Sequence, residues 1–74
     1  MRKEIKIEGM KCENCQKHVE EELLKIEGVE KVKADKDKKR AIVTLSKDIQ
    51  DDVFISQIDK NTNFKVSSIK KLLF

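Results

Sequence analysis

The sequence predicts an α+β fold, a βαββαβ sandwich in which a four-stranded antiparallel sheet carries two helices on one face. Apolar residues alternate with period two in three short runs and recur with helical period in two others, and a last apolar run at 64–69 follows. The runs follow in the order strand, helix, strand, strand, helix, strand, with no linker, repeat or low-complexity segment between them. A chain of 74 residues makes one small domain, burying about 60% of the surface that its unfolded form exposes. Such a chain has room for a single two-layer core and none for a large catalytic cleft.

Ile5 and Ile7 alternate with Glu4, Lys6 and Glu8, the pattern of a strand with one buried face, and Gly9 ends it in a turn. From Asn14 the period changes. Cys15, Val19, Leu23 and Ile26 recur at helical spacing opposite Lys17, Glu20 and Glu21, which predicts a helix over 14–26 with Gly28 as its C-terminal stop. Val32 and Ala34, then Ala41, Val43 and Leu45, form two alternating runs about the charged turn 35–39, a β-hairpin. Asp51 or Asp52 is placed to cap a second helix with the buried stripe Phe54, Ile55 and Ile58. That helix is expected to end at 61–63, where asparagine tolerates a left-handed turn. Residues 64–69 make the fourth strand, and three apolar residues of the tail KKLLF lie beyond it. The expected core is Ile5, Ile7, Val19, Leu23, Ile26, Val32, Val43, Leu45, Phe54 and Ile58.

Charged residues are 42% of the chain, with 17 basic and 14 acidic side chains for a net charge of +3, so the outside is densely solvated and an unliganded monomer is expected. Six of the basic side chains crowd into KVKADKDKKR, residues 31–40. A solvated hairpin turn is the ordinary reading of such a run, and a docking patch for an acidic partner is the functional one. The N-terminus MRKEIKIEGM contains no uninterrupted apolar stretch of signal-peptide length, and nothing approaches a membrane span, which predicts a cytoplasmic protein without membrane insertion. Met1 and the absence of a trailing linker predict a complete single domain over 1–74.

The only cysteines, Cys12 and Cys15, form a CxxC pair at the start of the first helix. Free backbone N–H groups, the helix dipole and the ammonium groups of Lys11 and Lys17 favour thiolates there. Four uses of such a pair compete. Structural zinc needs four ligands, and two cysteines with one histidine do not close that cage in a monomer. Attachment of c-type haem needs CxxCH, but Gln16 follows Cys15. Thioredoxin-like dithiol catalysis relies on a cis-proline opposite the pair, and the chain has no proline. An open site of two soft sulfur ligands remains, which suits Cu(I) and suits magnesium or calcium badly.

IEGMKCENCQKHVEEELLKIEGVEKV resembles the heavy-metal-associated domain family, whose signature is GMxCxxC followed by a helix and a Gly-Val pair, here Gly28 and Val29. The resemblance covers residues 3–69. It implies a ferredoxin-like fold, Cu(I) or another soft ion carried by Cys12 and Cys15, and delivery to the metal-binding domain of a heavy-metal P-type ATPase. A module of such an ATPase is the alternative, as is a mercury or zinc carrier or, in another class, a small thiol redox protein. Loaded copies bridged through the metal into a homodimer are a further expectation. The resemblance also implies that Met10 is buried under the loop, in keeping with methionine as a filler of irregular gaps, and that Phe64 packs beside the loop. Gly9 permits the sharp exit from the strand, where a Cβ would crowd the loop. Asn63 stands where a glycine is common. His18 is expected to be a solvated helix residue, with a third-ligand role as the alternative. Lys11 stands where zinc-exporting relatives often have an acidic residue, which disfavours divalent ions.

Nucleic-acid binding is not expected, since neither the first nor the third strand carries an aromatic residue on which bases could stack. Enzymatic function of the acylphosphatase kind is not expected either. Its strand-one loop would need a phosphate cradle and an arginine where this chain has cysteines.

Overall fold

The computed structural model describes residues 1–72. Its elements run β1 (Arg2–Glu8), α1 (Glu13–Leu24), β2 (Val29–Asp35), β3 (Arg40–Leu45), α2 (Asp51–Asn61) and β4 (Lys65–Leu72). The strands form one antiparallel sheet in the order β2-β3-β1-β4. This is the ferredoxin-like βαββαβ fold that the sequence predicts.

The inner face of the sheet and the apolar stripes of both helices meet in one core. Ile5, Ile7, Val19, Leu23, Ile26, Val43, Leu45, Phe54 and Ile58 are buried there, as expected, with Met10, Ala34, Ala41 and Ile49 beside them. Val32 packs against the cluster from a half-buried position. Ile55 is 41% exposed, against expectation. At 100° per residue it lies about 80° from the Phe54–Ile58 axis, while Gln57 on the other flank donates to Glu22 of α1 at 3.1 Å.

The turns also differ from expectation in ways with clear physical causes. Helix α1 ends at Leu24 with Lys25 as its C-cap, tightened by bonds from Lys25 N to Glu22 O and Ile26 N to Leu23 O. Ile26 is therefore buried from a turn, and Gly28 (φ 99°) bends the chain into β2 instead of capping the helix. Gln50, not an aspartate, is the N-cap of α2, and it makes no side-chain capping bond. Asp51 instead accepts from Lys3 Nζ at 3.0 Å. Thr62, in extended backbone, ends α2 by donating its hydroxyl to Ile58 O at 2.6 Å. Asn63 is not left-handed, and among the described residues Lys39 (φ 56°) is the one non-glycine that is. Lys39 belongs to the hairpin turn, where the Asp35 carboxylate accepts from the N–H groups of Asp37 and Lys38. Those bonds, Lys38's above all, hold the Asp35 carboxyl below the usual range.

Strand β4 runs three residues past the expected end, pairing Lys70, Lys71 and Leu72 with Glu4, Lys3 and Arg2. Of the tail, only Leu73 and Phe74 lie outside the described residues. Its register on β1 shifts between Lys6 and Ile7, so Ser67 is an extra residue beside the loop end of the sheet. At the other edge, α1 reaches over to the outward amides of β2. Glu20 Oε2 accepts from Ala34 N at 3.0 Å and Gln16 Oε1 from Lys36 N at 2.9 Å.

Lys3 shares the inward parity of Ile5 and Ile7 and is only 7% exposed. Its stem packs under α2 while its ammonium donates to Ile49 O at 2.6 Å and lies 5.8 Å from the Phe54 ring centroid. It thereby ties β1 to the loop entering α2.

Candidate metal centre

The segment from Gly9 to Cys15 joins β1 to α1 at the end of the sheet opposite Lys3. Gly9 takes φ 98°, and a Cβ there would come within 3.1 Å of Phe64 Cδ1. The strand thus leaves the sheet sharply, with the Phe64 ring against its backbone. Met10 then turns inward and is 2% exposed, pinning the loop to the core. Lys11 and Cys12 stand exposed beyond that anchor.

Cys12 is the N-cap of α1 in extended backbone (φ −141°, ψ 170°), and its carbonyl accepts the first helical bond from Gln16 N at 3.0 Å. Its sulfur accepts from Cys15 N at 3.4 Å, the position a serine or aspartate oxygen occupies in most N-caps. Cys15, one turn on, is half-buried and packs against the core. The structure therefore brings the two predicted site residues together, with both thiols free and the sulfurs 2.9 Å apart. The Cys15 thiol is pushed below its ordinary value, first by the hydrogen bond from the Cys12 thiol and then by backbone N–H groups of the loop.

A shallow groove runs from Cys15 along His18, Thr62, Asn63 and Phe64 to Lys60. The rings of His18 and Phe64 meet edge to face at 6.3 Å. His18 Nε2 lies 3.7 Å from Glu22 Oε2, and the side chain is 46% exposed. Among the described residues, no three His, Cys, Asp or Glu side chains are arranged to hold one ion. Lys11, Glu13 and Lys17 are exposed, and neither lysine forms an ion pair among the described residues.

Sequence reasoning missed the supports of this centre. Thr62 accepts from Phe64 N at 3.2 Å and so fixes the residue that backs the loop. Glu22, 6% exposed, receives Lys25 at 2.9 Å and Gln57, locking the helix that carries Cys15 onto α2. Threonine at a helix end was a readable sign of the first. Nothing in the charge pattern singled out Glu22 from Glu20 and Glu21.

An exposed dithiol at a helix N-terminus on this fold defines a small carrier-type domain. The heavy-metal-associated domain family matches residues 4–65, and the chain belongs to it. Its role is accordingly metal binding. Among solved structures it is similar to a copper binding domain from HMA7, a P-type ATPase, at 26% identity over all of both chains with a TM-score of 0.83. It is also similar to the CopZ metallochaperone (21% identity, 89% of this chain and 98% of that one, TM-score 0.80). Oxidized MerP from Ralstonia metallidurans CH34 shares the fold at 23% identity over 92% of this chain and 97% of that one, with a TM-score of 0.74. No protein of curated function matches the sequence. No helix among the described residues is long and apolar enough to cross a membrane.

Proposed function

We propose that this protein is a cytosolic copper chaperone, a single domain over 1–74 without enzymatic activity, in which Cys12 and Cys15 hold Cu(I). The observation that carries the reading is the free, exposed sulfur pair, one member set as the helix cap and the other with a lowered pKa. Two soft ligands with open space around them suit a soft monovalent ion. Metal–sulfur bonds of about 2.3 Å need sulfurs roughly 3.8 Å apart at a tetrahedral ion and about 4.6 Å apart at a linear one. From 2.9 Å the pair must open on loading, and the exposed Cys12 end of the loop is free to give while Met10 and Cys15 hold.

Release follows from the same geometry. An incoming thiolate of an acceptor domain reaches the ion before either original sulfur has left, so copper passes through a three-sulfur intermediate without entering water. The acceptor is the metal-binding domain of a heavy-metal P-type ATPase, approached with Lys11 and Lys17 leading. The full-length likeness to an ATPase copper binding domain supports a second reading, in which the chain is itself such a module. Both use the same ligands.

Anaerobic titration with Cu(I), Zn(II) and Hg(II) against a chelator of known affinity tests the reading. One Cu(I) per chain is expected, with affinity falling as pH drops because protons compete for the thiolates. Cys12→Ser and Cys15→Ser should each abolish tight binding. Wild-type affinity in the Cys12→Ser protein would overturn the assignment.

A further inference from the structure

The two helices cover one face of the sheet and leave the other open. The registers arrange that open face in rows running across the strands in the order β2, β3, β1, β4. The rows are Lys31, Thr44, Arg2, Leu72; then Lys33, Ile42, Glu4, Lys70; then Asp35, Arg40, Lys6, Ser68; and Glu8 with Lys65 nearest the metal loop. Seven cations face three carboxylates, a net +4 on this face when the whole chain carries +3. The rest of the protein, both helices included, is therefore net −1.

The three acidic residues are already counted in that net charge, and of them Glu8 is exposed and makes no ion pair among the described residues. Glu4 is already held by Arg40 at 2.6 Å and Lys6 at 4.0 Å, and Asp35 is folded back onto the hairpin amides. Lys31, Lys33, Lys65 and Lys70 are exposed and make no ion pair among the described residues.

We propose that the open face of the sheet docks on the surface of an anionic phospholipid bilayer. Charge complementarity is the argument, together with its distribution. The cations are spread over all four strands instead of lining a cleft, which matches a continuous charged plane better than one protein epitope. Among the described residues the face carries no aromatic side chain, so they offer no stacking platform of the kind single-stranded nucleic-acid binders use. Its long lysine and arginine side chains reach the headgroup region without insertion, around the half-buried Ile42. Binding of this kind is reversible, because electrostatics supplies it without a lipid anchor. The proposal goes beyond metal carriage and needs neither cysteine. Its consequence for carriage is geometric: with the sheet face down, the loop at the end of β1 points along the membrane plane, toward the soluble part of an embedded acceptor.

Cosedimentation of the metal-free chain tests this, with vesicles of equal parts phosphatidylglycerol and phosphatidylcholine compared with pure phosphatidylcholine. Binding to the anionic vesicles alone is expected, lost at high salt. Each cation near such a surface contributes about fivefold, so Lys33→Gln with Lys70→Gln, exposed strand positions across the sheet from each other, should weaken binding roughly 25-fold. Lys25→Gln with Lys47→Gln, away from the face, should leave it within about twofold. Circular dichroism shows that each variant is folded. The idea fails if the chain ignores anionic vesicles, if the two double variants weaken binding equally, or if random-sequence DNA competes at lower concentration than the vesicles. Cys12→Ser should bind vesicles like the native chain, so failure of the metal reading and failure of this one are separable.

Discussion

Gly9→Ala perturbs the point where the metal loop leaves the sheet, by two separable routes. The backbone at φ 98° lies where a side chain costs about 1–3 kcal/mol whatever surrounds it. The new methyl would also meet Phe64 Cδ1 at 3.1 Å, and turning the ring off its rotamer to make room adds about 0.5–1.5 kcal/mol. The sum is about 1.5–4.5 kcal/mol, a large share of what a domain this small possesses, and roughly 6–36 °C in Tm. Thermal unfolding of the metal-free, reduced protein by circular dichroism measures it. Repeating the substitution in a Phe64→Ala background removes the steric route and keeps the backbone one, so the penalty of Gly9→Ala should shrink by about the ring's share. An equal penalty in both backgrounds would show that Phe64 does not confine the loop. A cost under about 0.5 kcal/mol would refute the backbone argument as well.

Three further outcomes follow from the same geometry. Lys3→Met keeps the packed stem but orphans Ile49 O, and should cost about 1–3 kcal/mol in urea unfolding; a gain in stability would show that the apolar replacement outweighs the lost bonds. Glu22 has its carboxyl held below its ordinary 4.5, first by Lys25 and against the effect of burial. A depressed folded-state pKa adds stability that is present above the ordinary value and is lost as pH falls through the lowered one, so Glu22→Gln should flatten the acid side of the stability curve below about pH 4.5 and leave its neutral side sloping as before. Delivery of Cu(I) to an ATPase metal-binding domain, followed by NMR, should slow with rising salt and slow about tenfold at low salt in Lys11→Glu with Lys17→Glu. An unchanged rate would remove electrostatic steering while leaving ligand exchange intact.

Much of this was legible in the chain because the signals were local and periodic. The parity of Ile5 and Ile7, the spacing of Val19 and Leu23, and the two alternating runs of the hairpin each fix an element and its buried face within a few residues. The CxxC pair was legible for the same reason, since a helix start needs only near neighbours to identify it. What escaped depends on partners far along the chain. Lys3 shows the inward parity of its strand, but its burial makes sense only with Ile49 and Asp51 beside it. Ile55 and Phe54 are equally apolar, and only the packing of α2 decides which one faces the sheet. Residue type alone points to Gly28 and Asn63 as helix stops, whereas Lys25 and the hydroxyl of Thr62 end the helices. The strand through Lys70 and Leu72 carries little alternation, and its existence rests on pairing to the whole length of β1.

The reach of Gln16 and Glu20 across to β2 bears on how two such molecules can part. A strand at the border of a sheet, with its amides turned outward, is a template on which another chain can continue the sheet, and such pairings are slow to undo. Here the amides of Ala34 and Lys36 are already taken by side chains of the helix that carries Cys15. At that end of the border a second copy finds these two donors already occupied. On that side of the sheet, encounters between copies are thereby turned away from this end of β2, and the fold is spared one of the fibre-forming contacts that its architecture would otherwise invite.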